Sequence, residues 1–189
     1  FLTISDRLYE HHKLNLTKIY SYGKCNSNYK EIIKCVNIAI IGKFRDNNRD
    51  INAIEYILNN YSNIYIYVYC RSFKIDKNII KLNNKYDKLI LHIDKETEYI
   101  YNELNNHIHF IWPALNFENK TAEYYKTSFS GCYQDAINNE IPLIVDEETN
   151  NDYKFYSKQH NFIYKKSLKE TIETISKISN NEYKVLAEE

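Results

Sequence analysis

A doubly wound α/β domain with a mainly parallel sheet is the fold class this sequence predicts, on three observations. Val36–Ile41 (VNIAII) is a continuous apolar run closed by Gly42, as expected of a strand buried on both faces. Ile64–Cys70 (IYIYVYC) is strongly strand-like, and between the two lies a segment of helical apolar spacing. The same alternation of strand and helix patterns continues along the chain, which favours parallel strands joined by crossover helices.

Taken in order, Ile51–Asn59 places Ile51, Ile54, Ile57 and Leu58 on one helical face. In Ile64–Cys70 the residues Ile64, Ile66 and Val68 share one side of the strand and tyrosines the other. Leu89–Ile93 reads as a third strand and Thr97–Leu104 as a helix, with Thr97 or Asp94 near its start. His109–Trp112 is a strand candidate ahead of Pro113. The segment Tyr124–Val145 (YYKTSFSGCYQDAINNEIPLIV) reads as a Ser/Gly turn opening a short helix that stops before Pro142 and leads into a strand, Ile141–Val145. Asn161–Tyr164 is a further strand. Ser167–Ile178 is a helix with Ser167 as N-cap and Leu168, Ile172, Ile175 and Ile178 on one stripe. The expected organisation is the end of a preceding domain plus a connector over 1–35, one α/β domain over 36–180, and a tail over 181–189. Phe1–Ile4 reads as a strand severed from that preceding domain.

At 189 residues and 43% apolar content the chain is long enough to bury the core of one domain. Lys+Arg and Asp+Glu balance at 25 each, which argues against nucleic acid or a membrane recruited through bulk charge. No apolar run reaches the ~18–20 residues of a membrane-spanning helix. Cys25, Cys35, Cys70 and Cys132 form no CxxC pair and no zinc-ligand spacing, so no metal is expected, and isolated thiols suit a reducing, cytoplasmic setting. The asparagine tripeptides Asn15-Leu16-Thr17 and Asn119-Lys120-Thr121 are chance matches in an Asn-rich chain. The sequence begins at Phe1 and contains no Met, and it reads as a piece of a longer protein.

Two segments carry chemistry. The Ser130-Gly131 turn presents free backbone N–H groups and the positive end of a helix dipole to an anion, with Asp135 further along the same helix. A phosphate at the helix start and a sugar hydroxyl at the acid would suit a nucleotide-sugar, and an ordinary capped helix ahead of a strand has the same pattern. Gly42-Lys43-Phe44-Arg45-Asp46-Asn47-Asn48-Arg49 follows the first clear strand. There Gly42 permits close backbone approach, and Lys43, Arg45 and Arg49 supply cations for a diphosphate. A solvated charged loop is the plain alternative. Neither GxGxxG nor GxxxxGK[ST] occurs, nor a Ser-His-Asp set, HExxH or a nucleophile elbow.

Lesser candidates are His107 and His109, Trp112-Pro113 as a stacking platform, and Arg71 at the ligand edge. Strand-end histidines, a buried Trp and a surface arginine are the plainer expectations for them. The pair His11-His12 diverges in either regular structure, which disfavours shared metal ligation.

The order of strands, the basic loop and the late acidic helix resemble the C-terminal half of a GT-B glycosyltransferase, the Rossmann-like domain that holds the nucleotide-sugar donor. Many such enzymes carry a glycine and a basic residue after the first strand and a second basic residue shortly after it. These fall here on Gly42, Lys43 and Arg49, and the resemblance implies diphosphate contacts for Lys43 and Arg49. Retaining members carry a spaced pair of glutamates followed by Ala and later Gly-Pro. The matching stretch runs from Thr127 to Asp135-Ala136 and on to Ile141-Pro142. Asp135 fits the second acid, which in the family holds the donor ribose, whereas Thr127 replaces the first, a departure from a conventional retaining pair. The Tyr-Tyr-x-x-x-x-Ser-Gly pattern is similar to less-studied GT-B branches in which the turn faces the donor phosphate.

The resemblance implies a donor-binding domain for a nucleoside-diphosphate sugar, with no metal required. The acceptor is unidentified, and an N-terminal domain of the same protein would supply much of the remaining machinery. No catalytic base can be named. The competing readings are a GT-B-like binding or assembly module without catalysis, which Thr127 would permit, and another doubly wound regulatory or flavodoxin-like domain. The basic loop after the first strand, where a receiver needs an acidic cluster, argues against a receiver.

Overall fold

The computed structural model describes residues 2–3, 17–18, 30–32, 34–44, 48–72, 75–116, 131–146, 161–164 and 167–188. Two short strands, β1 (Leu2–Thr3) and β2 (Thr17–Lys18), pair with each other in parallel. The remaining strands are β3 (Val36–Ile41), β4 (Ile64–Cys70), β5 (Leu89–Ile93), β6 (Phe110–Ile111), β7 (Leu143–Asp146) and β8 (Asn161–Tyr164). They form one six-stranded sheet in the order β5-β4-β3-β6-β7-β8, with every pairing parallel. The chain moves outward from β3 through β4 to β5. It then returns past β3 to β6 and moves outward again through β7 to β8, so the strand order reverses between β3 and β6. In sheets of this kind that reversal opens a crevice beyond the carboxyl ends of the strands.

Each face of the sheet is covered. Helices α1 (Ile51–Asn60) and α2 (Lys77–Lys85) cover one side, together with α5 (Leu168–Ser176) and α6 (Asn180–Glu188). Their Ile54, Ile57, Leu58, Ile79, Leu82, Ile172, Ile175 and Tyr183 share one core with Ile38, Ile40, Ile66 and Val68. On the other side α3 (Thr97–His107) and α4 (Gly131–Asn138) bring Leu104, Cys132 and Ala136 against Ala39, Tyr69 and Ile111. This is why β3 reads as an unbroken apolar run. The tyrosine face of β4 is covered as well, and Tyr69 is fully buried.

Helix starts follow side-chain chemistry. Asp50 accepts from the N–H of Ala53 at 2.9 Å and opens α1, and Asp76 accepts from Asn78 at 2.7 Å and opens α2. The expected cap Ser167 opens α5, accepting from Glu170 at 3.3 Å. Helix α3 has no side-chain cap bond; the Asp94 carboxylate instead accepts from the N–H of Ser72 at 3.0 Å, tying the end of β5 to the loop after β4.

Two elements depart from the sequence expectation. Helix α2 has only a narrow apolar stripe, Ile79 and Leu82, and its pattern is too sparse to stand out. The stretch 181–189, expected as a tail, is helical to Glu188. Ser179 and Glu182 form a reciprocal capping box, with Ser179 N to Glu182 Oε2 at 2.8 Å and Glu182 N to Ser179 Oγ at 3.3 Å. Tyr183 then packs edge-on against Phe110 with ring centroids 5.4 Å apart.

The amino end of the sheet is closed by buried polar groups. Lys30 Nζ donates to the carbonyls of Leu104 and Ile108 at the end of α3, satisfying acceptors the helix leaves open. Burial pulls the Lys30 ammonium down to about 7 from its ordinary 10.5. Between these values the unfolded chain holds a proton that the folded chain releases, so stability rises with pH across that window. Urea midpoints measured from pH 7 to 10 should climb in the native protein relative to Lys30→Met, in which this component of the slope is gone.

Candidate functional site

The reversal point is built from the ends of β3 and β6 and the segments that follow them. Gly42 leaves β3 with φ at 115° and donates its N–H to the carbonyl of Tyr69 at 2.9 Å. That φ belongs to glycine, and a Cβ placed there would meet Arg49 Nη2 at 3.0 Å. Across the reversal, Ala114 is also left-handed, with φ at 47°, and is buried. The two segments are stitched together by an antiparallel bridge between Arg49 and Leu115. Main-chain bonds from Asp50 N to Ala114 O at 2.8 Å and from Asn116 N to Asn48 O at 3.2 Å reinforce it. Two left-handed residues facing each other at one edge mark a backbone held to a special path.

Lys43 is exposed at this edge, and its main chain is fixed: its carbonyl accepts from Asn48 Nδ2 at 3.1 Å and from Arg49 Nε at 2.9 Å. Arg49 is 4% exposed. Its guanidinium donates to the carbonyls of Lys43, Ile41 (Nη2, 2.9 Å) and Pro113 (Nη1), and lies 5.6 Å from the Phe44 ring centroid. Among the described residues no carboxylate pairs with it. The structure therefore brings Gly42, Lys43 and Arg49 together at the crevice, with one cation outside and one inside.

Gly131 begins α4. Thr127 and Ser130 lie outside the described residues. Asp135 sits on α4 facing α3, half-buried, with Tyr101 Oη donating to its Oδ1 at 3.5 Å. Burial raises the Asp135 carboxyl to about 6, with the Tyr101 bond opposing the shift. The turn after α4 has Glu140 at a φ of 50°, and Ile141 N closes back to Ala136 O at 3.0 Å.

Among the lesser candidates, Trp112 is 2% exposed and its side chain belongs to the core, while its main-chain N–H donates to Ala39 O at 2.8 Å. His109 is buried at the amino end of the sheet, away from the crevice. Its Nδ1 accepts from Asn37 N at 2.9 Å, which puts the proton on Nε2 facing the Glu31 carbonyl at 3.4 Å. Burial lowers its pKa to about 4, with Lys30 and His107 adding to the effect, so it stays neutral. His107 is exposed and Arg71 is a surface residue.

The sequence reading passed over His92, which lies near the carboxyl end of β5. It stacks on Tyr69 at 4.8 Å and on Tyr67 at 6.0 Å, with Tyr99 Oη 3.2 Å from its Nδ1. An alternating strand with a single histidine gives no signal for such a stack. The Cys70 thiol is pushed up to about 11 by burial and the Asp94 charge, which makes it an unreactive core residue. Among the described residues no group of three His, Cys, Asp or Glu could hold a metal ion, and no helix is long and apolar enough to cross a membrane.

No protein-family model matches the chain, and no curated protein matches it significantly. Solved structures do. TarM superposes with a TM-score of 0.63 at 12% identity, over 98% of this chain and 37% of TarM. The glycosyltransferase GlyE of Streptococcus pneumoniae TIGR4 gives 0.51 at 10% identity, over 88% of this chain and 36% of GlyE. The C-terminal domain of the group 1 family glycosyl transferase LpcC from Francisella tularensis gives 0.51 at 10% identity, over 96% of this chain and 86% of that domain. The fold is that of a Rossmann-like half of a GT-B architecture. The chain spans little more than a third of the length of TarM and GlyE, and identities this low speak for the GT-B fold and not for a particular chemistry.

The Gly42 geometry gives a direct test. Gly42→Ala must adopt a left-handed φ and push on the Arg49 guanidinium, and it should lower unfolding stability by about 1–3 kcal/mol in a urea titration.

Proposed function

We propose that the chain is the donor-binding domain of a glycosyltransferase, holding a nucleoside-diphosphate sugar at the crevice where the strand order reverses. The observation that carries this reading is the pairing of the exposed Lys43 with the buried Arg49 charge on a main chain fixed at the carboxyl ends of β3 and β6. An anion placed there meets an exposed ammonium and the field of a cation with which no carboxylate pairs among the described residues. In this reading the Ser130-Gly131 helix start receives a phosphate, Thr127 stands beside it, and Asp135 accepts from the ribose hydroxyls. The leaving diphosphate is then stabilised by cations and helix N–H groups, without a metal. The acceptor and the catalytic base belong to a further domain of the same protein, and the donor-binding unit runs from residue 36 through α6, whose Tyr183 shares its core.

Replacement of the first family acid by Thr127 favours one second reading, a GT-B-like module that binds donor and transfers nothing. Donor binding without transfer by the full-length protein would establish it.

Calorimetric titration with UDP, GDP and their sugar conjugates tests the proposal. Saturable binding of one nucleotide is expected, weakened about tenfold or more by Lys43→Ala and by Asp135→Ala with the fold intact. No binding by the chain or by the full-length protein would remove the donor reading. A pH series adds a sign. Asp135 accepts from hydroxyls as a carboxylate, so affinity should fall as pH drops from 7 to 5 through its pKa of about 6. Asp135→Asn should flatten that dependence.

A further inference from the structure

The basic pair at the crevice divides into two different roles. A direct phosphate contact requires guanidinium N–H groups free to face the ligand, often as a parallel pair. At Arg49 three of the five N–H groups, on Nε, Nη1 and Nη2, donate to the carbonyls of Lys43, Pro113 and Ile41 respectively, and the residue that carries the other two is almost wholly buried. These acceptors lie at or just beyond the ends of β3 and β6, where the β-ladder stops and main-chain carbonyls lose their strand partners. Left unpaired in the interior such carbonyls are costly. One planar fork satisfies all of them.

We propose that Arg49 is a positioning residue: a strut that locks the Gly42–Lys43 segment to the Pro113–Leu115 segment and thereby shapes the anion site, without itself touching the ligand. Three features of the surroundings agree with this role. Gly42 has no Cβ where Nη2 passes at 3.0 Å. Asn48 Nδ2 adds a second donor to the same Lys43 carbonyl. The main-chain bonds at Asp50 and Asn116 join the two segments that the guanidinium spans. Lys43, exposed on the strutted segment, is left as the side chain that meets the anion. The inference rests on the donor reading for the identity of the ligand, while the strut itself does not.

A lysine separates the alternatives, because an ammonium remains a good phosphate partner but cannot reproduce a planar fork with donors in three directions. Arg49→Lys and Arg49→Met are compared with the native chain in two measurements. The first is amide hydrogen exchange at Asp50 and Asn116 without ligand, and the second is titration with the nucleotide that the native chain binds. The strut requires both variants to lose exchange protection by about tenfold or more, and Arg49→Lys to lose affinity as fully as Arg49→Met. Unchanged protection in both variants, with affinity largely kept by Arg49→Lys, would overturn it in favour of a direct contact.

If either variant fails to fold, the native protein decides by NMR. The strut predicts a slowly exchanging Arg49 Nε–H before ligand is added and little change in it on titration. A fast-exchanging signal that is protected only with ligand would overturn the proposal. Failure of the native chain to bind any nucleotide counts against the donor reading alone, and the exchange measurements still decide the strut.

Discussion

The bonds from the Arg49 guanidinium to the carbonyls of Ile41, Lys43 and Pro113 join the segments after β3 and β6, beside the short Arg49–Leu115 bridge that pairs them. β3 is bonded along its whole length to β4 and over only two residue pairs to β6. Beyond those pairs the two segments meet again only at the Arg49–Leu115 bridge and its flanking main-chain bonds, among the described residues. A hydrophobic residue at position 49 would fill the space, take this donor from the Ile41 and Pro113 carbonyls and leave the Lys43 carbonyl to Asn48 Nδ2. A lysine would satisfy fewer of them at the same charge. The left-handed Gly42 and Ala114, the Asp50 and Asn116 main-chain bonds and the Asp50 cap of α1 all lie within a few residues of that guanidinium.

The two ends of the sheet use buried polar groups differently. At the amino end, Lys30 and His109 are turned inward onto carbonyls and an amide, and each has its charged form disfavoured by burial. Such groups satisfy a helix end and a strand start while burial disfavours their charge. At the carboxyl end a cation is held with no carboxylate paired to it among the described residues, and the Lys43 side chain on the adjoining segment is exposed. Two cations are thus gathered within seven residues at this edge, although the whole chain is electrically balanced. The functional reading depends on this asymmetry more than on the fold, because doubly wound sheets host many chemistries.

The strands were legible wherever burial on both faces forces a continuous apolar run, as in Val36–Ile41, or a strict alternation, as in Ile64–Cys70. Helices with a broad stripe, such as α1 and α5, were legible for the same reason. Helix α2 was not, because it rests on the sheet through little more than Ile79 and Leu82. Helix α6 was not, because its one fully buried anchor is a tyrosine in a chain crowded with tyrosines, although Ser179-Asn180-Asn181-Glu182 carried the capping pattern. At the candidate site, a glycine followed by cations marked the segment that leaves β3 beside the reversal of strand order. What those residues could not reveal is that Arg49 faces inward: charge is written in the sequence, whereas the carbonyls that absorb it come from segments distant along the chain.

Division of the cations into one buried and one exposed has a physical consequence for any anion held here. The field of a buried charge passes through protein of low effective dielectric and is weakly screened by salt, whereas an exposed ammonium is strongly screened and pays side-chain entropy to hold one geometry. A site built from both keeps a steady attraction from beneath and an adjustable partner above. The steady part needs its cation kept away from the ligand as well as from water, since a guanidinium that reached out to a phosphate would release the carbonyls of Ile41, Lys43 and Pro113. Loop order and direct contact are thus competing uses of one side chain. The hydrogen bonds to three carbonyls put Arg49 to the use of loop order, while Lys43 of the same basic pair has its side chain exposed.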